Sequence, residues 1–260
     1  MRKLFVVLLC LLLAGAGWGA MSGRERAENA VPFARLEWKE RSPSLGGLAD
    51  SLPQKTIAEL AELSQASVKD AGKRIGAMRL SFAALEDTYL RILVAQRKLT
   101  SRRAMELWER LHGVDGFRTT LRKISGSNPA QHKGHMYELE LAEAGRLAGF
   151  APVAVGKKFD DGKKAARTDL DVWLRRGAAN VYIEAKNYAA ATTSELPHFR
   201  ADMDSLVSLG DGVRVFAMKT RPKSDAALRL LNDAAGRRGV HLLIGDAESV
   251  IAQLRRLLEE

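Results

Sequence analysis

The residues best suited to chemistry lie in two short stretches, Thr168-Asp169-Leu170-Asp171-Val172-Trp173-Leu174 and Val181-Tyr182-Ile183-Glu184-Ala185-Lys186. The period-two alternation of a β-strand sends Leu170, Val172 and Leu174 to one face and Asp169, Asp171 and Trp173 to the other. The second stretch divides in the same way, with Val181, Ile183 and Ala185 apart from Tyr182, Glu184 and Lys186. A turn centred on Gly177-Ala178 makes a hairpin in which paired numbers sum to 355, so Asp171 faces Glu184 and Asp169 faces Lys186. Direct opposites have Cβ atoms roughly 4.5 to 5.5 Å apart, and like charges at that distance destabilise a sheet.

Something positive must therefore compensate Asp171 and Glu184. Hard oxygen ligands on a rigid hairpin suit Mg²⁺, which takes one or two carboxylates and keeps several waters; Mn²⁺ is the second candidate. Lys186, two residues beyond Glu184 on the same face, reaches the same spot. Its ammonium can orient an attacking water, lower that water's pKa or stabilise charge developing on a phosphate. An Asp169–Lys186 ion pair across a solvated face would account for the same residues without any function.

Several elements must hold this hairpin. The pattern predicts a helix over about 135–148, strands at 151–155, 168–174 and 180–188, a helix around 197–209, a strand at 213–218, a helix at 224–237, a strand at 240–244 and a last helix at 248–258. The order α-β-β-β-α-β-α-β-α indicates an α/β chain with a mixed α+β sheet and helices on its faces. Ser125-Gly126-Ser127-Asn128-Pro129 breaks the pattern upstream, so the domain is placed at 129–260. On the first helix, at 100° per residue, Glu140 falls on the apolar arc with Met136, Tyr137 and Leu147, while Glu138 lies at its edge beside Leu141. Either carboxylate can face the sheet; Glu143 is expected to be a solvated surface residue.

With these residues in place, the chain resembles the PD-(D/E)xK, or restriction-endonuclease-like, nuclease superfamily over roughly residues 131–245. Asp171 corresponds to the Asp, and Glu184-Ala185-Lys186 to the E-x-K. The segment Lys133-Gly134-His135-Met136-Tyr137-Glu138, leading to Gly149-Phe150, is similar to the family's opening helix, where a Gly precedes an aromatic-Glu pair and a Gly-aromatic pair closes the helix. The resemblance implies a metal-dependent phosphodiesterase acting on DNA or RNA. In it Asp171, Glu184 and Glu138 serve the metal, the Ala185 carbonyl adds a ligand, and Lys186 serves the nucleophilic water. Leu170 stands where the nominal motif has proline. The superfamily also contains members with decayed sites and other roles.

Upstream, Arg2-Lys3, the apolar run Leu4–Leu13 and Ala14-Gly15-Ala16 form a complete signal-peptide pattern, placing an export signal at 1–20 and the protein in the periplasm or outside the cell. No stable membrane span is expected after its removal; an uncleaved anchor is the alternative. Leu9 before Cys10 argues against lipid attachment there. Residues 21–55, with Pro32, Pro43, Pro53 and Gly46-Gly47, read as linker. From Ile57 to Leu99 a 3,4 spacing persists, so 56–128 is expected to be helical, as an intramolecular hairpin or a coiled coil that self-associates through 57–99. An exported domain of this kind is most like secreted bacterial toxin-type members of the superfamily, and a toxin implies an immunity partner.

The 260 residues are 46% hydrophobic and 28% charged, which excludes a disordered or multi-span membrane chain. The net charge of +10 favours a polyanionic partner such as nucleic acid, and residues 1–130 carry most of it, with 21 basic and 13 acidic side chains. Near the hairpin, Lys157, Lys158, Lys163, Lys164, Arg167, Arg175 and Arg176 are placed for phosphate contacts. Trp173 and Tyr182 either stack on a base or pack under a helix. One cysteine excludes an internal disulfide framework or a paired-Cys zinc site. His112, His132, His135, His198 and His241 lack metalloprotease spacing, and no phosphate-binding Gly-rich loop is present. His135 and His198 can reach the hairpin or remain at the surface. The competing readings are a non-catalytic nucleic-acid binder using a basic helical arm and a membrane-anchored structural protein whose heptads dimerise.

Overall fold

The computed structural model describes residues 82–95, 97–159, 168–188 and 193–259. They contain seven α-helices and a five-stranded sheet. The chain divides into two compact units: one runs through Gly113 and includes Leu121–Ser127, the other comprises Val114–Thr120 and Asn128–Glu260. The export signal and linker lie outside the described residues, as does most of the 57–99 heptad region. Among the described residues no helix is long and apolar enough to cross a membrane.

The first unit contains α1 (Phe82–Ala95) and α2 (Ser101–Leu111), which contact each other, and most of α3 (Phe117–Gly126). Thr100 caps α2 by accepting the Arg103 N–H. Lys98 Nζ donates to the carbonyls of Ile124, Ser125 and Ser127, satisfying acceptors at the end of α3.

The second unit follows the expected order: α4 (Pro129–Leu147), β1 (Ala151–Phe159), β2 (Thr168–Arg176), β3 (Ala179–Lys186), α5 (Leu196–Val207), β4 (Val213–Met218), α6 (Asp225–Gly236), β5 (His241–Ile244) and α7 (Ala247–Glu259). Helix α4 begins earlier than periodicity suggested. Asn128 accepts from the Ala130 and Gln131 N–H groups, Gln131 returns a bond to Asn128 N–H, and Pro129 opens the helix. The segment that looked like a breaker is thus a capping box. At the other end Gly149, with φ +88°, lets Phe150 N–H donate to the Gly145 carbonyl and its own N–H to Arg146, closing the helix.

The strands lie in the order β1-β2-β3-β4-β5, with β1/β2 and β2/β3 antiparallel and β3/β4 and β4/β5 parallel. In the hairpin, Arg176 pairs with Ala179, Trp173 with Tyr182 and Val172 with Ile183, the register expected from a Gly177-Ala178 turn. Gly177 takes φ +58°, as a two-residue hairpin turn of this hand requires. Both faces are covered. On one, Gly145 of α4 sits so close to Leu174 that a Cβ would come within 2.7 Å of its Cδ1, and α7 packs beside α4. On the other, Tyr182, Phe216 and Met218 pack with Leu196, Phe199, Met203 and Leu206 of α5 and with Leu231, Ala234 and Ala235 of α6.

Candidate active site

Strand β3 presents Glu184 and Lys186 on the Tyr182 side, beneath α5. Glu184 is 9% exposed. Lys186 Nζ donates to Glu184 Oε1 at 2.5 Å and forms a second ion pair with Asp202 Oδ2 at 2.8 Å, from α5. Asp171 stands one residue beyond the last β2 position paired with β3, and its Oδ2 accepts the Ala185 N–H at 2.8 Å. This bond ties the Asp171 carboxylate to the strand that bears Glu184. Leu170, expected with Val172 and Leu174 on the other face, instead belongs to the buried cluster that includes the α5 side chains.

Helix α4 brings in a third carboxylate. Asn187 Nδ2 donates to the Lys133 carbonyl at 2.8 Å, fastening the early part of α4 to the end of β3. Two turns into that helix, Glu138 is 6% exposed. Its Oε1 lies 2.7 Å from His135 Nδ1, within hydrogen-bonding distance. The other oxygen, Oε2, is buried with no hydrogen-bond partner. A buried acceptor left unpaired is costly, so it marks a place where a donor or cation would be welcome.

The electrostatics follow from crowding these groups away from water. Burial pushes Asp171 well above the ordinary carboxylate range, and the charges of Glu184 and Glu138 push it further; Lys186 and the Ala185 N–H oppose this without overcoming it. Burial likewise raises Glu184 to about 7, against the attraction of Lys186, with Asp202 and Glu138 adding to the rise. For Lys186 burial alone would favour the neutral amine, but Glu184, Asp171 and Asp202 together hold its pKa above the usual lysine value. Lys186 is therefore a cation at neutral pH, set among carboxyl groups whose ionisation burial opposes.

The structure brings Asp171, Glu184 and Lys186 together, and Glu138 is close enough for its charge to act on both carboxylates. Glu140, the other helix candidate, is instead paired with Lys219 at 2.7 Å. Glu143 was expected in solvent and is 6% exposed, because α4 is covered by both the sheet and α7 over the arc from Tyr137 to Gly145. The hairpin's polar face is likewise covered by α5 rather than solvated. Tyr182 is core, and Trp173 packs against that core, its ring 5.6 Å from Tyr182 and its Nε1 donating to Asn180. Tyr182 is thereby closed to a base, while Trp173 remains half-buried.

Lys163, Lys164 and Arg167, and the side chains of Lys158 and Asp169, lie outside the described residues. Lys157 pairs with Asp115 and sits over the Trp173 ring, and Arg176 pairs with Glu259. Arg175 and His198 are exposed. Asp202 was not singled out in the sequence. Its signal was its place three residues after Phe199 and four before Leu206, a charged residue among the inward positions of an amphipathic helix.

Among the described residues no three His, Cys, Asp or Glu side chains close into a ready-made metal cage. The donor set is nevertheless of the kind that Mg²⁺ takes: hard carboxylate oxygens, two of them pushed above their ordinary range chiefly by burial, and a third with a buried unpartnered oxygen. Comparison with family models, curated proteins and solved structures gives no match.

Proposed function

We propose that this chain is a metal-dependent nuclease that hydrolyses phosphodiester bonds of DNA or RNA, with a restriction-endonuclease-like second unit. The observation that carries the reading is the convergence of Asp171 and Glu184 on one half-buried lysine, with Glu138 close enough to perturb both. In this reading Asp171, Glu184 and Glu138 would hold Mg²⁺, which supplies Lewis-acid polarisation of the phosphate and a more acidic water. The protein's own groups do the rest. Ala185 N–H fixes Asp171, His135 fixes Glu138, and Lys186, already charged, donates to the attacking water or to a phosphate oxygen as negative charge builds there. Lys186 is a poor general base for the same reason: it would first have to surrender a proton that Glu184 and Asp202 hold. The amino-terminal pattern makes this an exported enzyme, and a toxin-type effector with an immunity partner is the role such an enzyme would have in bacterial competition.

The test uses purified protein with separate DNA and RNA substrates, in Mg²⁺, in Mn²⁺ and in EDTA, beside Glu184→Gln and Lys186→Ala. Cleavage that needs metal and falls by roughly 10²-fold or more in each variant is expected. Salt-sensitive binding without cleavage, equal in wild type and variants, would replace the reading with that of a nucleic-acid binder.

A further inference from the structure

Lys186 Nζ is held by two carboxylates from different elements: Glu184 Oε1 on its own strand at 2.5 Å and Asp202 Oδ2 on α5 at 2.8 Å. The two partners differ in kind. Glu184 is buried and belongs to the set that would hold a cation, whereas the Asp202 side chain is about one-third exposed and lies on the helix above. If Glu184 and Asp171 held a divalent ion, the Lys186 ammonium would have to share Glu184 with it. Two cations on one carboxylate oxygen repel each other strongly where water is scarce. The ammonium needs somewhere to go that keeps it beside the reacting water, and Asp202 is already in contact with it.

We infer that Asp202 is a positioning residue, which retains Lys186 at the site when a divalent cation takes over Glu184. This rests on the metal-dependent reading of the same site. Without Asp202, Lys186 has Glu184 as its remaining direct ion-pair partner and contests it with the metal, so the metal binds less tightly. Once metal is bound, the unanchored ammonium loses its aim, so turnover falls more than substrate affinity.

The deciding experiment is a double-mutant cycle on Mg²⁺ affinity, read by titration calorimetry on the full chain without nucleic acid: wild type, Asp202→Asn, Lys186→Met, and both changes together. Met is close to Lys in length and carries no charge to compete. Asp202→Asn is expected to weaken Mg²⁺ binding by about tenfold in the native background, a size normal for neighbouring coupled charges, and to have little effect once Lys186 is Met. Asp202→Glu should restore affinity, and in cleavage assays it should recover the kcat that Asp202→Asn loses with KM nearly unchanged. An equal loss of affinity in both backgrounds would show that Asp202 attracts or binds the ion itself, overturning the inference while leaving the nuclease reading intact. Absence of Mg²⁺ binding in folded wild type and in every variant would overturn both.

Discussion

Replacing Glu184 by Gln turns the electrostatic crowding into a measurable stability difference. The folded-state pKa of Glu184 is raised to about 7, against an ordinary value of 4.5 for an unstrained glutamate. Below pH 4.5 the acid is protonated in both folded and unfolded chains and contributes no difference. Between the two values the unfolded chain releases its proton while the folded chain keeps it, so stability falls as pH rises and levels off above about 7. A separation of about 2.5 units at about 1.4 kcal/mol each gives roughly 3 kcal/mol of destabilisation at pH 8 relative to pH 4. Gln cannot ionise, and its amide oxygen can still accept from Lys186. In metal-free buffer with EDTA, Glu184→Gln should therefore gain on wild type progressively from pH 5 to pH 8, reaching about 3 kcal/mol in urea unfolding at pH 8. A stability gap that stays constant across this range would refute the claim that burial disfavours the Glu184 anion.

Three further outcomes follow from the same geometry. Mg²⁺ should raise the melting temperature at pH 8 but hardly at pH 5, since the ion must displace protons from Glu184 and Asp171; at a hundredfold excess over its dissociation constant the gain is about 2.7 kcal/mol, read by differential scanning calorimetry. His135→Phe removes the donor to a buried carboxylate oxygen and should cost about 1–3 kcal/mol in urea unfolding, whereas His135→Asn, if its amide reaches Glu138, should recover part of it. Gly116→Ala should destabilise the second unit by about 2 kcal/mol or more, because Gly116 has φ +79° and a Cβ there would stand 1.9 Å from the Val155 carbonyl oxygen; hydrogen exchange at the Val155 amide, bonded to the Asp115 carbonyl, locates the damage.

Much of the second unit was legible because its signals are local. The alternation in β2 and β3, with a glycine at the only turn that suits both, specified the register that places Asp171 beside Glu184. The element order α-β-β-β-α-β-α-β-α could be read from changes of period alone. Misreadings arose where one residue type has two uses. Asn128-Pro129 looks like a loop by composition but is a helix start by mechanism, since proline lacks an N–H at a position where none is needed. Glu143 looks like surface on a helical wheel, yet a wheel assumes one buried arc, and α4 is covered by two neighbours.

The surroundings of the site were less legible because they depend on contacts remote in sequence. Lys186 has two carboxylate neighbours, and only Glu184 is near it along the chain; Asp202 arrives on a helix whose approach no local pattern encodes. The same distance separates His135 and Glu138 from the strands they serve. Alternation correctly placed Glu184 and Lys186 on one face, but whether that face is wet or dry decides their chemistry. On a solvated hairpin the Glu184–Lys186 contact would be a weak surface ion pair. Beneath α5, with Phe199, Met203 and Phe216 excluding water, the same two residues become a raised acid and a committed cation. The helix that hides the site thus also supplies, through Asp202, the second carboxylate that holds the lysine in it.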